Sequence, residues 1–528
     1  MKSISRTACV LLAGAALIAS CKPTEVVTYY MTADKTAISD VAANNPSDET
    51  LVLKTNAPTW LVLTPDWITA TPNSGQGNED GTVITLKIAS NYKNEATDTA
   101  PRSGSLKFSG SGQTLDIPVS QNGHTAVVDP NASIGGITDL AEFENFVKAV
   151  NNGDAVSRWL NSEGEIELLA DIDLGAYGEW TPIGNVTKSG NGNNASDPEG
   201  TFFSGKFNGG GHTIKNFKPS ALVAEGSTWG LFGATKNAVI KDLNIVADVT
   251  LEAAAVGDAG ILVGTAYSTT IENVKVSGKL NIKGNQTDNK RFAVGGIAGF
   301  VYSIAAEGVS YDTTIKDCEV TLEVSGNSGA NTKNGSTCVH FGGIAGFATT
   351  SKDDARNHIE NCTFNGAMTV ANGRCAGIVG AANYGTILKG CVNNASMRNE
   401  FTNGREAGIV CVIAGQCAII DCVNNGNLTT IDTSTTLGGI FALLNDNTCY
   451  VEGGANYGDI ICANAQYRGL IGANFSKFDH VSGVKVGGRI GEAESSLVTA
   501  TAANFMEYIG FVVEGAAEKI TNLEFGSK

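Results

Sequence analysis

Between residues 230 and 490 the chain repeats one phrase, and that repeat leaves few folds open. Its clearest copies read FGGIAGF…HIENCTFNGAMTV (341–370) and EAGIVCV…AIIDCVNNGNLTT (406–430). A small-residue run is followed by Ile-x-[Asp/Asn/Gly]-[Cys/Val/Leu], then by a small or apolar residue four positions on. Aligned on the residue after the Asp/Asn/Gly, the register marks are Leu243, Val274, Cys318, Cys362, Cys391, Cys422, Gly454 and Val484. By subtraction their spacings are 31, 44, 44, 29, 31, 32 and 30 residues. A period near 30 that tolerates insertions is that of a solenoid. Each unit is too short and too Gly-rich to bury a core alone, so it stacks on its neighbours. Apolar residues alternate with polar ones, as in Ile359, Cys362 and Phe364, which is strand rather than helix periodicity. The expectation is a parallel β-helix.

The position before each mark holds Asp242, Asn273, Asp317, Asn361, Gly390, Asp421, Gly453 and Gly483. Asp, Asn and Gly are the residues that enter the left-handed region at little cost. One such residue between two strands makes a sharp bend, so the stack should carry a ladder of bends. Catalytic carboxylates would not tolerate Gly in three copies. The marker Cys318, Cys362, Cys391 and Cys422 should then stack inward, about 4.8 Å apart. In-register parallel strands match Cβ vectors poorly for a disulfide, so buried thiols are expected. There is no CxxC pair and no zinc-type Cys/His spacing, so no metal site is assigned.

Composition agrees. Gly is 64 of 528 residues, about 12% against a usual ~7%. Charged residues make up 17% and the net charge is −17. Acidity of this size argues against a nucleic-acid partner.

Residues 1–20 read as a targeting segment, with Lys2 and Arg6 ahead of an apolar run too short to span a bilayer. It ends in Leu17-Ile18-Ala19-Ser20-Cys21, which resembles a bacterial lipobox. That resemblance implies signal peptidase II cleavage, lipidation of Cys21, and anchoring to the outer membrane at the cell surface, the periplasmic side being the alternative.

Residues 26–123 read as a small β-sandwich, with short strands at Leu51–Lys54, Thr82–Ala89, Leu106–Ser109 and Leu115–Ser120. Trp60-Leu61-Val62, Trp67 to Gly75 (WITATPNSG), Asn91, Arg102 to Leu106 (RSGSL) and Val119 to Gly123 (VSQNG) resemble the BACON domain of Bacteroidetes proteins. The resemblance implies an Ig-like sandwich and contact with glycans. Trp60 and Trp67 are the candidates for stacking on a sugar ring; the competing assignment plugs both into the sandwich core.

After a linker at 124–137, Asp139-Leu140-Ala141-Glu142 opens a helix in the manner of a capping box, and Asn151-Asn152-Gly153 closes it. One amphipathic helix ahead of a solenoid is suited to cap it. Ile166 to Leu174, Trp180 to Gly184, Phe203 to Ile214 and Gly230-Leu231-Phe232-Gly233 resemble the GLUG-type β-helix proteins of gut Bacteroidetes. The resemblance covers 138–490 and implies a right-handed, pectate-lyase-like β-helix without implying catalytic residues. Residues 491–528 leave the repeat and read as a C-terminal cap.

No catalytic constellation stands out. Gly209-Gly210-Gly211-His212 lacks the Lys-Ser/Thr of a P-loop and reads as a tight turn. Asp353-Asp354 falls in an over-long connection and reads as a solvated loop. Arg356 and Arg374 are basic residues that a lyase would need, with no acidic site assigned beside them. Polar insertions at 185–200, 283–291, 302–313, 326–338 and 348–358 are where a solenoid binds partners, which makes Tyr302, Tyr311 and Asp312 candidate contact residues. The reading is an all-β, anchored, monomeric surface lipoprotein without cofactors, binding host or dietary glycans or surface proteins. A polysaccharide lyase or hydrolase and a structural stalk are the alternatives.

Overall fold

The computed structural model describes residues 27–93, 97–125, 135–177, 180–187, 199–217, 220–223, 227–253, 257–284, 292–306, 309–327, 339–351, 355–371, 373–400, 404–430, 435–463 and 467–528. The targeting segment, Cys21 and Asp353-Asp354 lie outside these residues, as do much or all of the insertions at 185–200, 283–291 and 326–338. The described chain is almost all β, with 53 strands and a single α-helix. It forms two compact units, residues 1–126 and 127–528.

In the first unit seven strands share one pairing network. Glu49–Leu63 and Ser74–Ile88 are its long antiparallel pair, with register shifts between Leu53 and Thr59. Alternation decides which side each residue takes. Leu51, Leu53, Ile84, Leu86, Leu106, Phe108, Ile117 and Val119 are all buried in one cluster, each worth roughly 1.5–3 kcal/mol of removed apolar surface.

The second unit is a stack of coils held by three ladders of strands. A representative coil runs through Asn357–Glu360, Thr363–Ala371, Arg374–Ala376 and Val379–Asn383 before the next begins at Thr386–Lys389. Every one of these segments pairs in parallel with its counterpart one coil on. The first two belong to a long bent sheet, the third to a second sheet and the fourth to a third sheet.

The bend in the long sheet sits where the Asp/Asn/Gly pattern puts it. Asp242, Asn273, Asp317, Asn361 and Asp421 have φ of 54, 51, 54, 51 and 52°, and Gly390, Gly453 and Gly483 have 64, 68 and 72°. The ladder also runs past the repeat region, to Asn522 (φ 54°), one residue after Thr521, the register partner of Ser482. Successive rungs hydrogen-bond along the stack: Asn273 Nδ2 donates to Asp242 Oδ1 at 2.6 Å and Asn361 Nδ2 to Asp317 Oδ1 at 3.2 Å. Four residues after the mark, coils approach so closely that a Cβ on Gly426 would stand 1.8 Å from the Ala395 carbonyl oxygen.

The small-residue phrase turns the chain from the second sheet into the third. Its central Ile297, Ile344, Ile378, Ile409, Ile440 and Ile471 are buried. The following Gly lets the third sheet lie against the second; a Cβ on Gly346 would be 2.3 Å from the Val294 nitrogen. Strands of both sheets are therefore buried on both faces, as at Phe292–Gly295, Val339–Gly342 and Ala345–Thr350. One face meets the main core (Phe292, Val294, Phe341). The other forms a seam with its own cluster, including Tyr267, Ala293, Phe300, Tyr302 and Phe347.

Two further ladders run inside the coils. Cys318, Cys362, Cys391 and Cys422 are buried thiols whose Sγ atoms donate to carbonyls, for example Cys318 to Lys316 at 3.2 Å and Cys422 to Ile420 at 3.4 Å. Asn393, Asn424 and Asn456, all fully buried, chain Nδ2 to Oδ1 at 2.7 Å per step.

Helix α1 (Leu140–Asn152) packs on the first coils. Asp139 Oδ1 accepts from Glu142 N at 3.0 Å, and Gly153 closes the helix with φ 73°. The expected return bond of a capping box is not made. Glu142 instead pairs with Arg158 at 2.7 Å and accepts from Trp159 Nε1 at 3.0 Å, because two donors outbid one backbone N–H for the carboxylate. Phe143 and Phe146 meet Trp180, Trp159, Phe203 and Phe207 at ring separations of 5.6–6.3 Å. At the other end, Phe511–Val512 joins the third sheet, and Ile520–Thr521 and Glu524–Phe525 join the long one.

Candidate binding surface

The candidate site lies on the edge where the third sheet hands the chain back to the long sheet. Thr313, Asn357 and Thr386 are register partners on three consecutive coils. Two residues ahead of each lie Tyr311, Ala355 and Tyr384; one residue ahead lie Asp312, Arg356 and Gly385. Tyr311 and Tyr384 are 46% and 57% exposed, while Ala355 between them is buried. At about 4.8 Å per coil the two tyrosines stand roughly 10 Å apart along the stack.

Backbone detail fixes this comb. Ala298–Ala306 and Val309–Tyr311 form an antiparallel hairpin that places Tyr311 opposite Ile304. Ser303 Oγ, inside the stem, donates to the Arg356 carbonyl at 2.6 Å and accepts from Thr313 N at 2.7 Å. Asp312 Oδ1 accepts from Arg356 N at 2.8 Å, and Asp312 Oδ2 lies 3.4 Å from His358 Nε2. His358 Nδ1 is 3.5 Å from Glu360 Oε1. The Arg356 guanidinium lies over Gly385, and the Tyr384 ring over Gly415, where a Cβ would meet Nη1 at 3.1 Å and Cδ1 at 2.6 Å. The edge thus presents an aromatic ring, a guanidinium and a second ring, with Asp312 and His358 beside them. Rings supply faces for the apolar side of a pyranose, and the charged groups supply hydrogen bonds to hydroxyls.

The other sequence candidates fall elsewhere. Tyr302 lies only nine residues before Tyr311 but belongs to the hairpin stem; it is 8% exposed, packed on Tyr267 and Phe300 at 5.7 Å. Trp60 is buried, with Nε1 donating to the Gln76 carbonyl at 3.0 Å and its ring 6.2 Å from Phe108. Trp67 is half-buried, with the Arg102 guanidinium over its ring at 4.6 Å. His212 follows a tight turn and lies 3.4 Å from Asp171 Oδ1; the Thr213 N–H, more than the imidazole, holds that carboxyl below its ordinary value. Arg374 lies in the seam, away from the edge. Tyr384 and His358 escaped the sequence reading. Aligning the chain on Thr313, Asn357 and Thr386 would have shown Tyr384 at the same offset as Tyr311. Among the described residues no group of three or more His, Cys, Asp or Glu is placed to hold a metal ion.

Comparison with known proteins bears on the first unit. Residues 54–122 match the BACON family, described as "Putative binding domain, N-terminal". No curated protein matches the chain. Among solved structures, one described as a "putative immunoglobulin A1 protease from Bacteroides ovatus" is similar at 20% identity and TM-score 0.37, over 75% of this chain and 85% of that one. One described as "IgA1 Protease" is similar at 15% identity and TM-score 0.39, over 77% of this chain and 26% of that one. A Bacteroides ovatus GH5 xyloglucanase in complex with a heptasaccharide is similar at 14% identity and TM-score 0.15, over 21% of each chain. The first unit therefore carries a BACON domain at residues 54–122.

Proposed function

We propose that this protein is a non-catalytic, glycan-recognising or adhesive lipoprotein of the bacterial surface. In this reading residues 26–123 are an Ig-like sandwich, 138–490 a right-handed parallel β-helix, and Cys21 the lipid anchor that holds both to the outer membrane. The partners are host or dietary glycans or surface proteins. The observation that carries the reading is the Tyr311–Arg356–Tyr384 comb, two exposed rings flanking a guanidinium at about the length of a disaccharide. The BACON match supports a binding role without choosing between the two units.

The test is affinity electrophoresis of the full chain through a panel of soluble polysaccharides, comparing wild type with Y311A, Y384A, the double variant and W67A. A stacking contact contributes ~0.5–1.5 kcal/mol beyond buried area, so each tyrosine variant should bind its polysaccharide roughly 2- to 12-fold more weakly. Unchanged binding in the double variant sinks the comb. Loss confined to W67A would transfer recognition to the BACON domain.

A further inference from the structure

We infer that Arg374 forms the centre of an oxyanion-binding position in the seam between the second and third sheets. Thr228, Asp258, Ala293, His340, Arg374, Arg405 and Thr436 are successive register partners on the second sheet. Their neighbours Phe341 and Cys375 face the main core, so alternation turns His340 and Arg374 toward the seam. His340 is fully buried there, its ring 5.1 Å from Phe347. Arg374 is 7% exposed, and its Nε has no hydrogen-bond partner. No carboxylate pairs with it among the described residues. On the same ladder Thr436 Oγ1, two coils on, is also buried without a partner.

Three cationic or protonatable side chains thus follow one another on neighbouring coils of a protein whose net charge is −17. The chain does not stack its exposed charges this way. On the outer face of the long sheet Glu272, Lys316, Glu360 and Lys389 are successive register partners with alternating sign, and Lys316 meets Glu272 at 2.8 Å. Like charges directly across a sheet repel, and a buried guanidinium needs a counter-charge. The ligand chemistry that answers both is an oxyanion, since a sulfate, phosphate or carboxylate accepts two parallel N–H bonds from a guanidinium. Its source is either an inorganic ion or the charged group of a sulfated or uronate-bearing glycan.

The experiment is calorimetric titration of the full chain at fixed ionic strength, chloride replacing each ligand in the blank. The probes are sodium sulfate, sodium phosphate, a sulfated polysaccharide, a polyuronate and a neutral polysaccharide. Wild type should bind at least one oxyanion saturably, and R374Q should bind it tenfold or more weakly. R374K, which keeps the charge and loses the fork, should fall between. Should R374Q not fold, R405Q on the more exposed neighbouring rung should weaken binding several-fold. No saturable binding by wild type, or equal binding by wild type and R374Q, overturns the proposal. Binding of the inorganic ions alone assigns the source as free ion, and binding of a charged polymer assigns it as glycan. Neutral polysaccharide retained by the tyrosine edge is unaffected in R374Q, so this site and the glycan-binding reading fail separately.

Discussion

Glu406 gives the sharpest quantitative test of the coil interior. It lies on the second sheet in register with Cys375 and Leu437, both in the main core. Its side chain is fully buried, Oε2 is 3.8 Å from Cys375 Sγ, and Oε1 has no partner. Burial pushes its carboxyl from 4.5 up to about 8. Below pH 4.5 the carboxyl is protonated in both the folded and unfolded chains and contributes no pH dependence. Between pH 4.5 and 8 the unfolded chain loses the proton while the fold keeps it, so folding becomes less favourable by about 1.36 kcal/mol per pH unit. The cost is about 3 kcal/mol at pH 7 and levels off at ~5 kcal/mol above pH 8. Glu406→Gln removes the titration and nearly preserves the shape. Urea unfolding of wild type and E406Q at pH 5, 7 and 9 should give a stability difference that is small at pH 5 and grows in favour of the variant. A difference that stays flat from pH 5 to 9 would refute the assignment of a neutral carboxyl in the core.

Other interior ladders make their own predictions. Asn424→Ala removes the acceptor of Asn393 and the donor to Asn456; leaving buried amide groups unpaired should cost about 3 kcal/mol, read by urea unfolding, and a loss below ~1 kcal/mol would mean that the ladder contributes little. The buried thiols should resist alkylation: burial pushes Cys375, Cys417 and Cys422 well above their ordinary value. Peptide mass spectrometry after iodoacetamide should find Cys318, Cys362, Cys391 and Cys422 modified only once the chain is denatured, and rapid labelling of the native protein would contradict their burial.

The bend ladder was legible because only three residue types tolerate the left-handed backbone, and they recur at a fixed offset from an apolar mark. Asn522 carries the same bend but was missed, since the phrase around it diverges. The buried Asn393, Asn424 and Asn456 were hidden for another reason. Alternation predicts apolar residues at inward positions, as at Phe364 one coil earlier, and an amide there looks like a solvated one. The second sheet defeated pattern reading altogether, because strands buried on both faces have no polar side to mark the register. That is why the positions of His340, Arg374 and Glu406 emerged only from the fold. Tyr302 and Tyr311 shared one insertion in the sequence; the hairpin packs Tyr302 in its first strand and leaves Tyr311 exposed at the end of its second. The comb itself was half visible, through Tyr311 and Asp312, and Tyr384 was overlooked in a turn two coils away.

Helix α1 and its aromatic cluster have a consequence for how the chain acquires its structure. Each later coil can form its ladders only on the edge of the coil before it, whereas α1 supplies the first coils with a partner from adjacent sequence. During synthesis that seed emerges ahead of every coil it supports. Folding is then expected to spread from that seed, coil by coil, as a templated zipper. Damage to Phe143 or Phe146 should disorder the whole stack, while a defect near Phe475 should leave the preceding coils standing.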